Sequence, residues 1–154
     1  MASLPQRQRL FHSTPPWVSD GADFFLTSCC AARETNQLAT AAVFSVMTNA
    51  LEHYVQNGKY WVHLFLAMPD HLHALVSFPP NGHMDKVIRD WKRFIAKQTR
   101  VVWQDGFFDH RLRDEENFEL KAHYLRLNPV RSGLVDDPVN WSCVWPAHAT
   151  ASAR

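Results

Sequence analysis

The chain is poor in cysteine, has almost no net charge and contains no long apolar run. Its three cysteines are an odd number, and Cys29 and Cys30 are adjacent, a layout that suits neither a disulfide framework nor a zinc knuckle. We therefore expect buried, reduced thiols. No stretch approaches the roughly 18 consecutive apolar residues of a membrane helix, and the first ten residues lack the apolar core of a signal peptide. These absences predict a cytoplasmic protein, and the length of 154 residues predicts one domain.

The net charge of +1 over 154 residues gives no support to nucleic-acid binding by global electrostatics. The basic residues are nevertheless unevenly distributed. Residues 86–100 carry six basic side chains against one acidic side chain, a local charge of +5. Spacings of three and four place most of them on one side of a predicted helix. This stripe is either a solvated helix face or a surface that follows a phosphate backbone.

Alternating apolar patterns and turn residues predict an α+β fold. The predicted elements are a strand over 23–30, a helix from Asn36 to about 56, two strands over 59–68 and 72–78, a helix over 84–102, a strand over 107–112 and a helix from Asp114 to about Asn128. A tight Pro-Asp turn joins the middle strands as an antiparallel hairpin. The order β-α-β-β-α-β is that of the ferredoxin-like split βαβ sandwich, an antiparallel sheet with helices packed on it, here with one more helix at the C-terminal end. We expect an arm over 1–22, a domain over 23–145 and a tail over 146–154.

Two short motifs carry candidate chemistry. In MPDHLHALVSFP, at 68–79, His71 and His73 are two residues apart, so a strand points both imidazoles to one face. In HYLRLNPVRSGLV, at 123–135, Tyr124 and Asn128 are four apart, so a helix stacks them on one face. A phenol, an amide oxygen and two imidazoles could therefore converge in one site, in which the imidazoles share a cation and the phenol is a nucleophile. The remaining histidines are structural or surface residues by default, although His63 and His110 could reach this site.

These two motifs, with the segments WKRFIAKQT and WQDGFFDHRLRDEENF between them, occur in the same order as in a known protein family. Over roughly residues 11–145 the chain resembles the single-tyrosine HUH transposases that act on single-stranded DNA, and in particular the REP-associated tyrosine transposases. The resemblance implies that His71 and His73 bind a divalent metal, Mg²⁺ or Mn²⁺, and that Asn128 completes the site. It also implies that Tyr124 attacks DNA to give a 5′-phosphotyrosine and a free 3′-OH.

The implied substrate is single-stranded DNA that contains an imperfect hairpin, cut beside a short tetranucleotide by a nucleoid-associated protein. Because two neutral imidazoles and an amide add no negative charge, we expect Mn²⁺ to activate at lower concentration than Mg²⁺. The candidate DNA-binding residues are the basic residues of the arm, of the stripe and around the tyrosine: Arg7, Arg9, Lys86, Arg89, Arg93, Lys97, Arg100, Arg111, Arg113, Arg126 and Arg131. The aromatic residues Trp103, Phe107 and Phe108 could stack unpaired bases.

Two other classes of function stay open. A domesticated module of the same fold could bind hairpin DNA as a regulator without cutting it. A metallohydrolase would use water rather than Tyr124 as the nucleophile, so that Tyr124→Phe would leave it active. The chain could act as a monomer or as a homodimer, and the sequence does not distinguish these states.

Overall fold

A five-stranded sheet lies at the centre of the chain. The structure, a computed structural model, describes residues 15–113 and 115–147. The strands are β1 (Ala22–Cys29), β2 (Trp61–Ala67), β3 (His71–Phe78), β4 (Phe108–Leu112) and β5 (Val144–Trp145). Their order is β4-β1-β3-β2-β5, and all neighbours are antiparallel. The first four strands have the split βαβ order, so the predicted α+β fold is confirmed. The short edge strand β5 was not predicted.

In the described part of the chain, four α-helices accompany the sheet: α1 (Ala41–Gln56), α2 (Met84–Gln98), α3 (Glu115–Arg126) and the one-turn α4 (Asn128–Arg131). The prediction that the first helix begins at Asn36 was wrong. The Asn36 side chain instead closes a local turn with the backbone of Ala39, and the Thr40 hydroxyl caps the helix by accepting from the Val43 N–H at 3.2 Å. The predicted cap at Asp114 falls outside the described residues.

The basic helix α2 is shorter than predicted. It ends at Gln98, because Thr99 leaves helical geometry and takes an extended conformation, with φ −132° and ψ −166°. The Thr99 hydroxyl donates to the Ile95 carbonyl at 2.7 Å. Arg100 and Val102 therefore lie beyond the helix. The prediction that the helix reaches residue 102 was wrong at its C-terminal end.

The side chains of β3 alternate between two separate cores. Leu72, Ala74 and Val76 belong to a large apolar cluster with residues of α1 and α2. Leu75 points to the opposite face and packs in a second cluster that includes Ala122 and Leu125 of α3. Because side chains alternate along a strand, the two imidazoles of β3 share the face of Leu75. Helix α3 therefore covers the face that carries the histidine pair.

The structure describes only part of the predicted N-terminal arm and C-terminal tail. Residues Pro16–Asp20 form a 3₁₀ helix, and Trp17 and Val18 pack against the larger core. Residues 1–14 and 148–154 lie outside the described residues, so the division into arm, domain and tail stays a prediction. Cys30 and Cys143 are buried free thiols, whereas Cys29 is half-buried. In the described ranges, none of the helices has the length and apolarity needed to cross a membrane.

Candidate active site

Two imidazoles lie side by side on the face of the sheet that α3 covers. The ring centroids of His71 and His73 are 4.9 Å apart. His71 Nδ1 lies 2.7 Å from a carboxylate oxygen of Asp70, and His73 Nδ1 lies 2.9 Å from the hydroxyl of Thr27. Because an ionised carboxylate can only accept, His71 carries its proton on Nδ1. A metal-binding histidine is oriented by this kind of hydrogen bond, which leaves Nε2 free to bind the cation.

The carboxylate that holds His71 is itself fixed by three donors. Arg33 reaches Asp70 at 3.0 Å through Nε and at 3.4 Å through Nη2, and the Glu34 backbone N–H donates at 2.7 Å. Glu34 has φ 64°, a backbone conformation that non-glycine residues seldom adopt. Burial opposes the charge of Asp70, but the hydrogen bonds from Arg33, Glu34 and His71 outweigh it and hold the pKa of the carboxyl well below its usual range. Asp70 is thus a fixed anion that orients His71.

His73 is held neutral by its surroundings. Burial, together with His71, Lys121 and Arg131, lowers the pKa of His73 to about 3. The ring of Phe25 stacks on it with centroids 5.3 Å apart, and the Lys121 ammonium lies 4.8 Å from the Phe25 centroid. A neutral imidazole can bind a metal, whereas a protonated one cannot. The Lys121–Phe25–His73 stack also links α3 directly to the histidine pair.

The candidate nucleophile follows Lys121 by one helical turn. Ala122 and Leu125 anchor α3 in the smaller core, while Tyr124 is 57% exposed. The guanidinium of Arg131 stacks 3.8 Å from the centroid of the tyrosine ring, and its Nη1 donates to the Tyr124 carbonyl at 3.0 Å. The ring is therefore held in place by a cation–π contact while its hydroxyl stays open to a substrate.

Asn128 does not share a continuous helix with Tyr124. Helix α3 ends at Arg126, and Asn128 begins α4, with Pro129 at a first-turn position where the missing N–H costs nothing. Arg131 Nη2 donates to the amide oxygen of Asn128 at 3.0 Å. Arg131 therefore bridges the two residues that the sequence placed on one helix face. The role of Asn128 as a metal ligand stays a prediction.

The residues of this site can supply some, but not all, of the ligands of a divalent metal ion. Within residues 15–113 and 115–147, no three side chains of His, Cys, Asp or Glu come together as a cation site. The imidazole nitrogens of His71 and His73 and the oxygen of Asn128 are neutral donors, and that oxygen keeps a second lone pair beside Arg131. Such a set fits a divalent cation whose remaining positions are filled by water or by phosphate oxygens. The imidazole pair favours Mn²⁺ over Mg²⁺.

The predicted DNA-binding residues are spread over three surfaces. The stripe residues Lys86, Arg89, Arg93, Lys97 and Arg100 are all exposed, as are Arg111, Arg113 and Arg131, while Arg126 is half-buried. Arg7 and Arg9 lie outside the described residues. Asp90, the acidic residue already counted in the local charge of +5, pairs with Lys86 at 2.6 Å and with Arg93 at 3.6 Å. The hydrogen bond from Lys86 holds the pKa of Asp90 below its usual value.

One basic residue of segment 86–100 does not face solvent. Lys92 is 8% exposed, and its ammonium donates to the backbone carbonyls of Gln104 and Gly106. Burial lowers the pKa of Lys92, although Asp105 opposes this effect. The charge of Lys92 is therefore used inside the protein and adds nothing to the exposed stripe.

Several residues that support the histidine pair were missed by the sequence analysis. Asp70 directly precedes His71 in the quoted motif, so its role could have been inferred from position. Thr27 and Phe25 lie on β1 and meet His73 only through strand pairing. The two histidines singled out for attention differ in their position relative to this pair. His63 contacts Ser77 near the opposite end of the sheet, and His110 is exposed on β4, paired with Phe25.

The fold is that of known transposases. The solved structure of a REP-associated tyrosine transposase bound to a REP hairpin matches with a TM-score of 0.70 at 20% identity, over 79% of this chain and 74% of that one. A provisionally assigned transposase from Deinococcus radiodurans R1 matches with a TM-score of 0.53 at 12% identity, over 73% of this chain and 94% of that one. The TM-scores of both matches establish a shared fold.

Two relatives found by sequence comparison belong to one class of transposase. The REP-associated tyrosine transposase of Escherichia coli K12 is 21% identical over 126 residues, which are 79% of this chain and 74% of the relative. A provisionally assigned REP-associated tyrosine transposase of Haemophilus influenzae is 27% identical over 92 residues, about half of each chain at 48% and 52%. No family model matches the chain. The resemblance to the REP-associated tyrosine transposases is confirmed by the first relative and the first structure together.

Proposed function

We propose that the chain is a metal-dependent endonuclease and strand transferase that cuts single-stranded DNA at hairpin-forming repeats through a 5′-phosphotyrosine intermediate. The observation that carries this proposal is the Lys121–Phe25–His73 stack, because it brings the helix of an exposed tyrosine onto the sheet face of two imidazoles with free Nε2 atoms. The similarity to REP-associated tyrosine transposases, one of them bound to a REP hairpin, supports the choice of substrate.

The chemistry requires a nucleophile that can later leave. Tyr124 Oη bonds to phosphorus as the bond from phosphorus to the 3′-oxygen breaks; the phenol proton passes to solvent, and the 3′-oxygen takes up a proton. A phenolate leaves from phosphorus more easily than an alkoxide, so the new ester keeps the strand ready for rejoining by a 3′-OH. No nucleotide cofactor is needed for either step.

The surrounding residues orient the reactants. A divalent cation held by His71, His73 and Asn128 would supply Lewis acidity towards the non-bridging oxygens of the scissile phosphate. Arg131 fixes the ring of Tyr124 from one side and adds a positive charge next to the position where negative charge develops. The salt bridge between Asp70 and Arg33 keeps His71 in the tautomer that leaves Nε2 unprotonated.

The decisive experiment is a comparison of the wild-type protein with Tyr124→Phe. Each would be incubated with Mn²⁺ and labelled single-stranded hairpin DNA from the repeats that flank its gene, and the products separated on a denaturing gel. We expect a covalent adduct with wild-type protein and none with Tyr124→Phe, which should still bind the DNA. Tyr54→Phe is the matched control, since Tyr54 packs against Tyr60, away from the histidine pair, and this variant should form the adduct normally.

Other outcomes would select the competing functions. Cleavage that survives Tyr124→Phe without any adduct would indicate a metallohydrolase. Binding of hairpin DNA without cleavage by either protein would indicate the non-catalytic regulator. Absence of binding would contradict the proposed substrate altogether.

A further inference from the structure

A groove of about 670 Å³ lies between α2 and the loop formed by residues 101–107. Arg89 and Arg93 line it on the helix side, and Trp103 and Phe107 line it on the loop side. None of these four residues belongs to the histidine and tyrosine site. The volume is within the range of about 300–1,000 Å³ that small-ligand pockets occupy.

Hydrogen bonds within the protein hold the loop of residues 101–107 in place. The buried ammonium of Lys92 donates to the carbonyls of Gln104 and Gly106, and Trp103 Nε1 donates to the Lys92 carbonyl at 3.0 Å. Gly106 takes φ 75°, which allows the chain to turn between these contacts. A site held in this way loses little conformational entropy when it binds.

The groove lies next to the histidine pair, around the edge of the sheet. Gln104 donates its N–H to the Cys29 carbonyl at 2.8 Å, and Cys29 is paired with His71 across β1 and β3. On β4, Phe108 is paired with Thr27, the residue that hydrogen-bonds His73. Phe107 packs against the larger core on the α2 side, whereas Phe108 is 70% exposed. Phe108 and Phe107 therefore lie at the β4 edge, between the histidine pair on one face of the sheet and the groove on the other.

The groove combines the features needed for one nucleotide. Two exposed guanidinium groups can hold a phosphate, and two aromatic rings offer a stacking surface for a base. Asp85, Asp105 and Asp109 also line the groove, and their carboxylates can accept hydrogen bonds from the amino group of a base. The carboxylates repel a phosphate whether or not it carries a base, so a phosphate fits only on the arginine side of the groove, whereas the base can accept the aromatic and carboxylate side.

We propose that this groove binds one unpaired nucleotide of the single-stranded segment beside the cleavage site, with its base against Phe107 and its phosphate on Arg89 and Arg93. The inference rests on the proposed function, since it assigns a second contact to the same substrate. Its consequence is that the strand is gripped on both sides of the β4 edge, so that the nucleotide in the groove helps to position the scissile phosphate.

The test uses the Tyr124→Phe protein, so that binding is measured without cleavage. Hairpin oligonucleotides would carry 2-aminopurine at each single-stranded position in turn, and the fluorescence would be recorded on binding. We expect quenching of several-fold at one flanking position. Phe107→Ala should restore the fluorescence there and weaken DNA binding about 10-fold, the loss typical of one stacked base.

A second variant and a matched control keep the test sharp. Arg89→Gln changes an exposed side chain that cannot unfold the core, and we expect it to weaken binding and to reduce the quenching at the same position. Phe94→Ala removes a partly exposed ring of α2 that does not line the groove, and it should change neither signal. Tight hairpin binding without a quenched position, or quenching untouched by Phe107→Ala and Arg89→Gln, would overturn the groove assignment alone. If the Tyr124→Phe protein without any groove substitution fails to bind hairpin DNA, the proposed function itself would be overturned.

Discussion

Each end of the sheet face under α3 carries a histidine that hydrogen-bonds to a hydroxyl of a neighbouring strand. The two histidines differ in the ring nitrogen that makes this hydrogen bond. At one end the hydroxyl of Thr27 meets His73 at Nδ1. At the other end the hydroxyl of Ser77 meets His63 at Nε2, 2.7 Å away. Ser77 is fully buried and also donates to Asp23. The first arrangement leaves Nε2 of His73 available, whereas the second uses the corresponding atom of His63.

This difference separates a candidate ligand from a structural group. Burial lowers the pKa of His63, although Asp23 opposes the shift, and Phe118 of α3 packs edge-on at 4.9 Å between ring centroids. His63 thus satisfies the buried hydroxyl of Ser77 and fills space beneath α3. His73 has a similar aromatic neighbour in Phe25 but keeps its Nε2 free. The partner of each ring, rather than the residue type, decides its chemistry.

The largest expected effect is on cleavage. His73→Gln should lower the single-turnover rate of adduct formation at least about 100-fold, because removal of a ligand costs more than the roughly 10- to 100-fold lost with an outer-shell partner. His63→Gln should change the rate only a few-fold, since its amide can still bond to Ser77. Labelled hairpin DNA and Mn²⁺ provide the measurement, and circular dichroism checks the fold of both variants. Equal losses at both positions would remove the distinction between the two ends.

The next effect concerns the hydroxyl partners. Thr27→Val keeps the shape of the side chain but removes the group that orients His73, so the Mn²⁺ concentration for half-maximal cleavage should rise about 10- to 100-fold. Ser77→Ala should leave this concentration unchanged and instead lower the free energy of unfolding by about 1–3 kcal/mol, because Asp23 and His63 lose a buried partner. A metal titration and urea denaturation of both variants measure the contrast, which an unchanged titration for Thr27→Val would contradict.

Much of this face could be predicted from sequence because it depends on short-range periodicity. The two-residue spacing of His71 and His73 fixes their common face once a strand forms, and the order of strands and helices gives the sheet topology. The helix that carries Tyr124 ends at Arg126, close to the predicted end near Asn128. The predicted reason was wrong, because Asn128 is itself helical and begins α4 in front of Pro129. These features need no knowledge of long-range pairing.

The remaining features depend on contacts between distant residues. Thr27 reaches His73 across 46 positions only because β1 pairs with β3 in one register. Lys92 has the spacing of an exposed stripe residue, yet its long side chain finds two backbone carbonyls in the following loop. The bridge from Arg131 to Tyr124 and Asn128 forms because the chain makes one further turn after α3. No local pattern specifies these partners.

The two ends should also differ in their effect on stability as pH changes. Since the pKa of His73 is about 3 in the folded protein and about 6.5 when unfolded, the unfolded state binds the extra proton between these values. The free energy of unfolding should therefore fall as pH is lowered from about 6.5 to 4, by up to about 1.4 kcal/mol per pH unit for one proton.

Two variants identify the source of this slope. In metal-free protein, His73→Gln should flatten the dependence throughout the range, whereas His63→Gln should flatten it only near the upper end, because the pKa of His63 is lowered by a smaller amount. Urea denaturation at a series of pH values gives the slope, and the part above about pH 5.5 lies clear of the carboxylates, whose unfolded pKa values are about 3.9 and 4.3. A slope that survives His73→Gln would show that this imidazole is not held neutral by the fold.

The smallest expected effect is the stabilisation of the protein by metal alone. A site with few protein donors binds weakly, so Mn²⁺ at a few times its Kd should add only about 1 kcal/mol to the free energy of unfolding, a rise in Tm of about 2–4 °C for a chain of this size. Mg²⁺ at the same concentration should do less. The shift should disappear in His73→Gln and persist in His63→Gln and in Tyr124→Phe. Because this measurement needs neither DNA nor cleavage, it tests the metal ligands separately from the nucleophile, and a shift that depends on His63 would reverse the roles assigned to the two ends of the sheet.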